Sequence, residues 1–426
     1  MSAAGTGART TGDWVDVAAH RMQPTYAPVD APPDVVFVRG RGAVLTDADG
    51  QDWLDLLSGI AVTSLGHAHP AVTAAVVAQA EALVHTSNLF LTTPALALMD
   101  RLAGLLGWDD ARFFMAQCGA TANEAALKLS RRHGLARAPG KHRVVALEGS
   151  FHGRTLGTLE LTGQPTKRAP FEPLAGFVDH VPHDDADAMA AAVGPSTCAV
   201  VLEVVQGEGG VRPVSSEVLA AARAACDRHD ALLWFDEVQT GIGRTGEWFA
   251  FQGTDVVPDV VTLAKGLGNG YPIGVCAARG VAGTALGPGE HGTTFGGNPV
   301  AAAAALAVIE TIATDGLLAA VRARAAQVRL GLADLAAATG TVREVRGAGL
   351  LLGIGLRAPV ATDVVARCRA ARVIVNAVAP DVVRLAPPFV ITPAETERAL
   401  EVLRDAIAAA HAAVPAAAGP DPEETP

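Results

Sequence analysis

Four lysines stand in this chain of 426 residues: Lys128, Lys141, Lys167 and Lys265. A lysine that condenses with a carbonyl must present a neutral amine, which calls for a partly buried site that lowers its pKa. Lys128 lies in a helical pattern with arginines close behind it and reads as a solvated helical charge. Lys141 and Lys167 lie in polar loops. Lys265 differs, because it closes the apolar run VVTLAK and precedes the glycine-rich GLGNGYP. A strand end followed by a flexible turn delivers a side chain into a cleft at the carboxyl edge of a sheet. Position alone leaves a second reading open, a strand-terminal lysine that snorkels to water.

Asp236 closes another apolar run, ALLWFDEV, which would bring it to the same sheet edge. A carboxylate there is costly without a partner. One partner is the protonated ring nitrogen of pyridoxal phosphate, where the ion pair keeps the ring an electron sink. The other reading is an Asp that caps the following turn. A phosphate needs backbone N–H groups at a helix start, and QCGATANEAALKLS supplies them at Gly119 and Ala120. The same segment is also a plain strand-to-helix turn. Phe151, in GSFHGRT, can lie over an aromatic ring or in the core. Arg154, beside a glycine turn, suits two-point capture of a carboxylate, or is a surface charge.

Other motifs carry less. GIGRTG at 241–246 matches G-x-G-x-x-G, but the strand before it ends at Asp236. The following EWFAFQGTD has no helical period, so a dinucleotide loop is rejected. His67 and His69 in LGHAHP lack a carboxylate-rich third ligand set, and the proline marks a turn into a helix. They read as structural, and no metal is expected.

These residues need elements to hold them. Strands are predicted at RFFMA, HRVVALE, AVVLEVV, ALLWFDEV and DVVTLAK, with helices at NEAALKLSRRHG and SSEVLAAARAACDRH between them. Short apolar runs alternating with helices predict an α/β sheet covered on both faces. Before them, Val35 to Leu57 reads as an antiparallel meander and Pro70 to Val84 as a helix. A long alanine-rich helix follows Pro299. It leads into a C-terminal section with its own strands and a last helix, which reads as a smaller domain. Residues 1–20 and the proline-rich acidic 415–426 are expected to be disordered.

Composition narrows the function classes. Half the residues are hydrophobic and the net charge is −11, which favours a packed globular protein and disfavours a nucleic-acid partner. The five cysteines are odd in number and none has C-x-x-C spacing, so a disulfide framework and a zinc site are both disfavoured. The N-terminus has no secretory apolar stretch, and runs such as PVAAAAALAVI are too short for a membrane span. A soluble, cytoplasmic protein without a membrane partner is expected.

Taken in order, LSGIAVTSLGHAHP, ATANEAALKL, SFHGRTLGTLELTGQP, VVQGEGGV, LLWFDEVQTGIGRTG, LAKGLGNGYPIG, HGTTFGGNP and VVRLAPP resemble the class III (ornithine-type) pyridoxal-phosphate-dependent aminotransferases of fold type I. The resemblance runs from about Tyr26 to Val390. It implies a large domain (76–305) with a mixed, mostly parallel sheet covered by helices. A smaller α+β C-terminal domain (306–414) would follow, to which an N-terminal segment (21–75) contributes.

The resemblance also implies roles. Lys265 binds the cofactor covalently and moves the substrate proton, and Asp236 pairs with the ring nitrogen. Phe151 and Val238 sandwich the ring, and Gln239 contacts its phenolic oxygen. Cys118, Gly119 and Ala120 hold the phosphate, with Thr294 reaching in from a partner subunit. Arg154 binds the substrate α-carboxylate, with Thr293 nearby. Glu208 and Arg384 form a switch pair that masks Arg384 for an ω-amine donor and frees it for 2-oxoglutarate. A homodimer with shared active sites follows.

Within the class, GIAVTSLGHAHP and FHGRTLGTLELTGQP most resemble the acetylornithine aminotransferases of arginine biosynthesis. Other readings are an ω-aminotransferase for ornithine, succinylornithine, 4-aminobutyrate or a specialised amine, and a cofactor-binding module without turnover. The chain departs from the family pattern at Gln117 and Cys118, where Asn-Ser is usual, at Thr121 for Glu, and at Val204 for Pro. A thiol is a poorer hydrogen-bond partner than a hydroxyl, so weaker cofactor retention is expected.

Overall fold

A computed structural model describes residues 10–21 and 34–413. Tyr26 and the tail 415–426 lie outside the described residues. Of the segment 1–20 expected to be disordered, residues 1–9 also lie outside the described residues, and Thr11–Arg21 forms a helix. Asp13 accepts from the backbone N–H of Thr10 at 2.9 Å, and His20 and Arg21 sit in the last turn. Both ends therefore complement the helix dipole, although none of the helix is buried.

The central sheet has seven strands in the order Arg112–Ala116, Gly274–Ala278, Val260–Leu263, Leu232–Asp236, Thr197–Leu202, Arg143–Leu147, Val178–Val181. Gly274–Ala278 runs antiparallel to both neighbours, and the other adjacent pairs are parallel. Every residue of TCAVVL and LLWFD is buried, which is why these strands read as unbroken apolar runs. Two strands were not anticipated. VDHV is a short polar edge strand, and GVCAA is too small-residued to give a strand signal.

The helices Gly119–Leu135 and Ser216–His229 cover the predicted segments. The long helix expected after Pro299 is two helices, Pro299–Thr314 and Leu317–Thr339, bent by 70°. Gly316, at φ +64°, makes the turn between them. Among the described residues no single helix is long and apolar enough to cross a membrane.

Two hydrophobic cores dominate. The larger packs the central sheet (Leu233, Phe235, Val261, Val275) against Pro299–Thr314 and the start of the next helix through Leu317 and Val321. A line between domains at 305/306 thus falls inside a helix that belongs wholly to this core. The smaller core joins Leu54 and Leu56 to Leu352, Ile354, Leu385, Leu403 and Ile407. The meander Phe37–Arg41, Val44–Asp47, Asp52–Asp55 supplies Leu54, Leu56 follows directly after it, and its last strand pairs in parallel with Val373–Ile374. VREVRGAGLLLGIGL is a hairpin, Val342–Ala348 and Leu351–Leu356, turned at Gly349 with φ +52°. The parallel register sets Asp236 opposite Thr262. The ends of two buried strands therefore deliver Asp236 and Lys265 to one edge of the sheet.

Candidate active site

At that edge lies a cleft of about 400 Å³. Asp236 and Lys265 line it together with Phe151, Val238, Gly119 and Arg154. Lys265 has φ +43°, rare for a residue with a side chain. The next residue leaves no slack, since a Cβ on Gly266 would come 2.6 Å from Ser64 Oγ. Burial holds the Lys265 pKa below that of an ordinary lysine. The carboxylates of Glu208, Asp236 and Glu203 oppose this, and Arg384 reinforces it. The amine is thus biased towards its neutral, nucleophilic form.

Asp236 is 3% exposed and fully engaged. Its Oδ2 accepts from Asn123 Nδ2 at 2.7 Å and meets His152 Nδ1 at 2.8 Å, while Oδ1 accepts from the Val238 N–H at 3.0 Å. Asn123 Nδ2 also donates to the His152 carbonyl at 2.7 Å. Nearby, buried Glu203 accepts from the N–H groups of Phe151 at 2.9 Å and Gly207 at 3.2 Å. Burial pushes its pKa up to about 7. Sequence reasoning missed Asn123, His152 and Glu203 as site residues. Asn123 had one available signal, as it lies a helical turn beyond Gly119 on the helix that opens at the cleft.

Cys118 is the N-cap of the helix Gly119–Leu135. The side chain of Thr121 folds back onto this loop. Its Oγ1 accepts from the N–H groups of Gln117 and Cys118, donates to the Cys118 carbonyl (each 3.1 Å), and lies 3.6 Å from Cys118 Sγ. Thr121 thus closes the cap. Gly119 is required by close approach, because a Cβ there would come 2.8 Å from Val238 Cγ1.

At the mouth, Arg384 is fully buried. Its Nη1 donates to Glu208 Oε1 and, at 3.1 Å, to Gln239 Oε1, and its Nε donates to Asn376 Oδ1 at 3.1 Å. Burial pushes the Glu208 pKa up, but the charge and hydrogen bond of Arg384, with help from Lys265 and Lys167, hold it below the usual value. The carboxamide oxygen of Gln239 is therefore turned to Arg384. Arg154 is exposed, with its guanidinium carbon 5.6 Å from the Phe151 ring centroid.

Two residues stand apart. Thr293 and Thr294 do not line this cleft. Thr293 Oγ1 accepts from Gln117 Nε2 at 2.5 Å and borders a second cavity of about 350 Å³, while Thr294 is exposed. His67 Nε2 meets Asp55 Oδ2 at 2.8 Å, and His69 stands at the N-cap position of the helix Pro70–Ala82.

The arrangement can condense an amine with a carbonyl and move a proton beside an electron-poor ring. A family model, aminotransferase class III, matches residues 25–407. The chain belongs to the class III aminotransferases, and it is a pyridoxal-phosphate-dependent transferase. It is 52% identical over 371 residues to an acetylornithine aminotransferase of Mycolicibacterium smegmatis, covering 87% of this chain and 93% of that protein. Identity is also 52%, over 86% of this chain and 90% of the relative, with an acetylornithine aminotransferase of Mycobacterium tuberculosis H37Rv. Among solved structures, ornithine aminotransferase of Toxoplasma gondii superposes with a TM-score of 0.89 at 30% identity, covering 95% and 96% of the two chains. N-acetylornithine aminotransferase of Stenotrophomonas maltophilia gives 0.80 at 36% identity, covering 94% and 100%.

The residues present fit the cofactor. A buried acceptor, Asp236, suits a protonated ring nitrogen. Val238 and Phe151 suit the ring, the start of a 17-residue helix suits the phosphate, and a desolvated lysine suits covalent attachment.

Proposed function

We propose that this enzyme transfers the ω-amino group of N2-acetyl-L-ornithine to 2-oxoglutarate. The products are N-acetyl-L-glutamate 5-semialdehyde and L-glutamate, in arginine biosynthesis. The named activity of the relatives at 52% identity supports the donor. The observation that carries the reading is the buried Arg384–Glu208 pair beside Gln239, in a site where Arg154 makes no ion pair among the described residues.

Bound pyridoxal phosphate supplies an electron sink next to the amine-bearing carbon. Lys265 Nζ, biased towards its neutral form by desolvation, would hold the cofactor and move the proton at that carbon. Asp236, fixed by Asn123, His152 and the Val238 N–H, would pair with the ring nitrogen. Gly119, Ala120 and the Cys118 cap would hold the phosphate, Phe151 and Val238 would flank the ring, and Gln239 would offer its Nε2 to the phenolic oxygen. Arg154 takes the α-carboxylate of the donor, while Glu208 neutralises Arg384 so that the distal amine reaches the reacting end. With 2-oxoglutarate, Arg384 leaves Glu208 for the second carboxylate.

The working unit in this reading is a cytoplasmic homodimer. Leu89, Phe90, Leu91 and Phe295 are 59–86% exposed around the second cavity. A second copy would cover them and receive Thr294, with Thr293 behind it, at its own cleft. All five cysteines are unpaired, in keeping with a reducing compartment.

A donor panel with 2-oxoglutarate tests the reading. Acetylornithine should give the highest kcat/KM among acetylornithine, ornithine, succinylornithine and 4-aminobutyrate. A better donor from the same panel replaces it, and no turnover with any of them leaves a cofactor-binding module.

A further inference from the structure

Lys167 has no part in the roles above, yet the fold brings it beside Phe151, which lines the cleft. Its Nζ lies 5.6 Å from the centroid of the Phe151 ring, the same distance as the Arg154 guanidinium carbon. Its position is built. The short helix Pro165–Arg168 carries it, and Arg168 ties that helix down through the Thr162 carbonyl at 3.3 Å and the His180 ring. The one hydrogen bond described for its amine goes to Gln164 Oε1. Gln164 is itself oriented, because its Nε2 donates to the Gly149 carbonyl at 3.1 Å.

The charges do not balance. Arg154, Arg384 and Glu208 are the charged groups that act on Lys167. Arg384 and Glu208 neutralise each other. Arg154 and Lys167 both remain near the Phe151 ring, and neither has an ion-pair partner among the described residues. Two like charges, one exposed and one half-buried, raise each other's cost until an anion lies between them. Burial, then the charges of Arg154 and Arg384, lower the Lys167 pKa, with Glu208 opposing.

We propose that Lys167 is a specificity-determining residue, a second cation beside Arg154 that grips the substrate carboxylate far from the cofactor. It serves the α-carboxylate of an N2-acylated donor and the outer carboxylate of 2-oxoglutarate in turn, and in this it rests on the function proposed above. The guanidinium gives the planar two-point contact, and the ammonium adds rotatable donors at an angle to it.

Glutarate, an unreactive five-carbon dicarboxylate, is the probe. Its Kd is measured on the cofactor-loaded wild-type protein and on Lys167→Met and Lys167→Arg, alongside KM and kcat for acetylornithine and 2-oxoglutarate. Met keeps the apolar stem, and Arg keeps the charge. Met should raise the glutarate Kd and both KM values about 10-fold, as expected for one charge-assisted hydrogen bond, with kcat within about two-fold. Arg should restore most of the loss. Wild-type glutarate affinity should fall as pH rises through the lowered pKa of Lys167, and the Met variant should lack that limb. Unchanged Kd and KM in the Met variant overturn the proposal, as does an Arg variant no better than Met. A Met variant that only melts earlier or turns over more slowly also overturns it, and makes Lys167 a brace for Gln164. Glutarate binding needs no donor, so it decides the point even if acetylornithine fails as substrate.

Discussion

At the cleft floor Asp236 holds three hydrogen-bond partners and is 3% exposed. At the mouth Arg154 and Lys167 face solvent in part and have no counter-charge among the described residues. The floor is finished in the protein alone, and the mouth is finished only by a ligand. Burial drives both. It is affordable for Asp236 because its lone pairs are satisfied, and for Lys265 because the amine can go neutral. Arg384 lies between the two cases. It is fully buried like the floor, but its charge is met by the side chain of Glu208. The floor is thus held by backbone and buried side chains, whereas on the proposed mechanism the geometry that serves two substrates is held by an exchangeable ion pair.

Floor substitutions should therefore be all-or-none and mouth substitutions selective. The largest effect is expected for Lys265→Ala, which on the proposed mechanism removes the covalent anchor and the proton carrier together. Turnover should fall by on the order of 10³ or more. Reductive trapping of the cofactor and peptide mapping should label Lys265 in the wild type. A label on Lys128, Lys141 or Lys167 would sink the assignment.

Next comes Arg384→Ala. The 2-oxoglutarate half-reaction should slow about 100-fold, the scale of a buried charge-assisted contact, while the acetylornithine half-reaction stays within a few-fold. Glu208→Ala should shift preference towards glutamate as donor. Single-turnover kinetics with each substrate separate the cases. Equal slowing of both half-reactions in Arg384→Ala would place Arg384 with the floor and erase the distinction.

How far the sequence could foresee this follows the same division. Asp236 and Lys265 were legible because buried parallel strands read as apolar runs whose last polar residue marks the sheet edge. Asn123, His152 and Glu203 were not. Asn123 meets Asp236 across 113 positions and His152 across 84, and no local pattern encodes such contacts. Arg244 is a similar case. Inside the rejected glycine motif it is 1% exposed, donates to the carbonyls of Pro387 at 2.5 Å and Leu350 at 3.2 Å, and lies over Phe389. Burial lowers its pKa to about 9. The turn Ser58–Ala61 holds four successive residues at φ +53° to +68°, where only Gly59 gives warning.

A smaller effect should appear without any substrate. Lys265 has a folded-state pKa lowered by burial, so below that value its charge penalises the folded apoprotein. Between the folded pKa and the unfolded value the unfolded chain binds more protons, and stability rises with pH. Lys265→Met removes the penalty. Its apoprotein should melt higher than the wild type at neutral pH, on the order of 1–3 °C, with the gap closing as pH approaches the ordinary lysine range. Melting curves of both apoproteins across pH measure this. A gap that widens with pH would mean that the amine is well solvated, and that the floor is not dry.

The smallest effect probes the loop that opens the helix Gly119–Leu135, above the floor. Cys118 caps the helix proposed to face the phosphate, and its thiol rests 3.6 Å from Thr121 Oγ1. Thr121 already spends that oxygen on the N–H groups of Gln117 and Cys118, so the loop keeps its shape without help from sulfur. Cys118→Ser would exchange a weak donor and acceptor for a strong one at a position where Ser is among the best helix caps. The gain should be about 1 kcal/mol, or roughly five-fold tighter pyridoxal phosphate, with little change in kcat once the site is saturated. Reconstitution of the apoproteins at graded cofactor concentrations gives both constants. Equal or weaker binding by the serine variant would mean that the loop is remodelled around sulfur, with Thr121 as the residue that holds the cap.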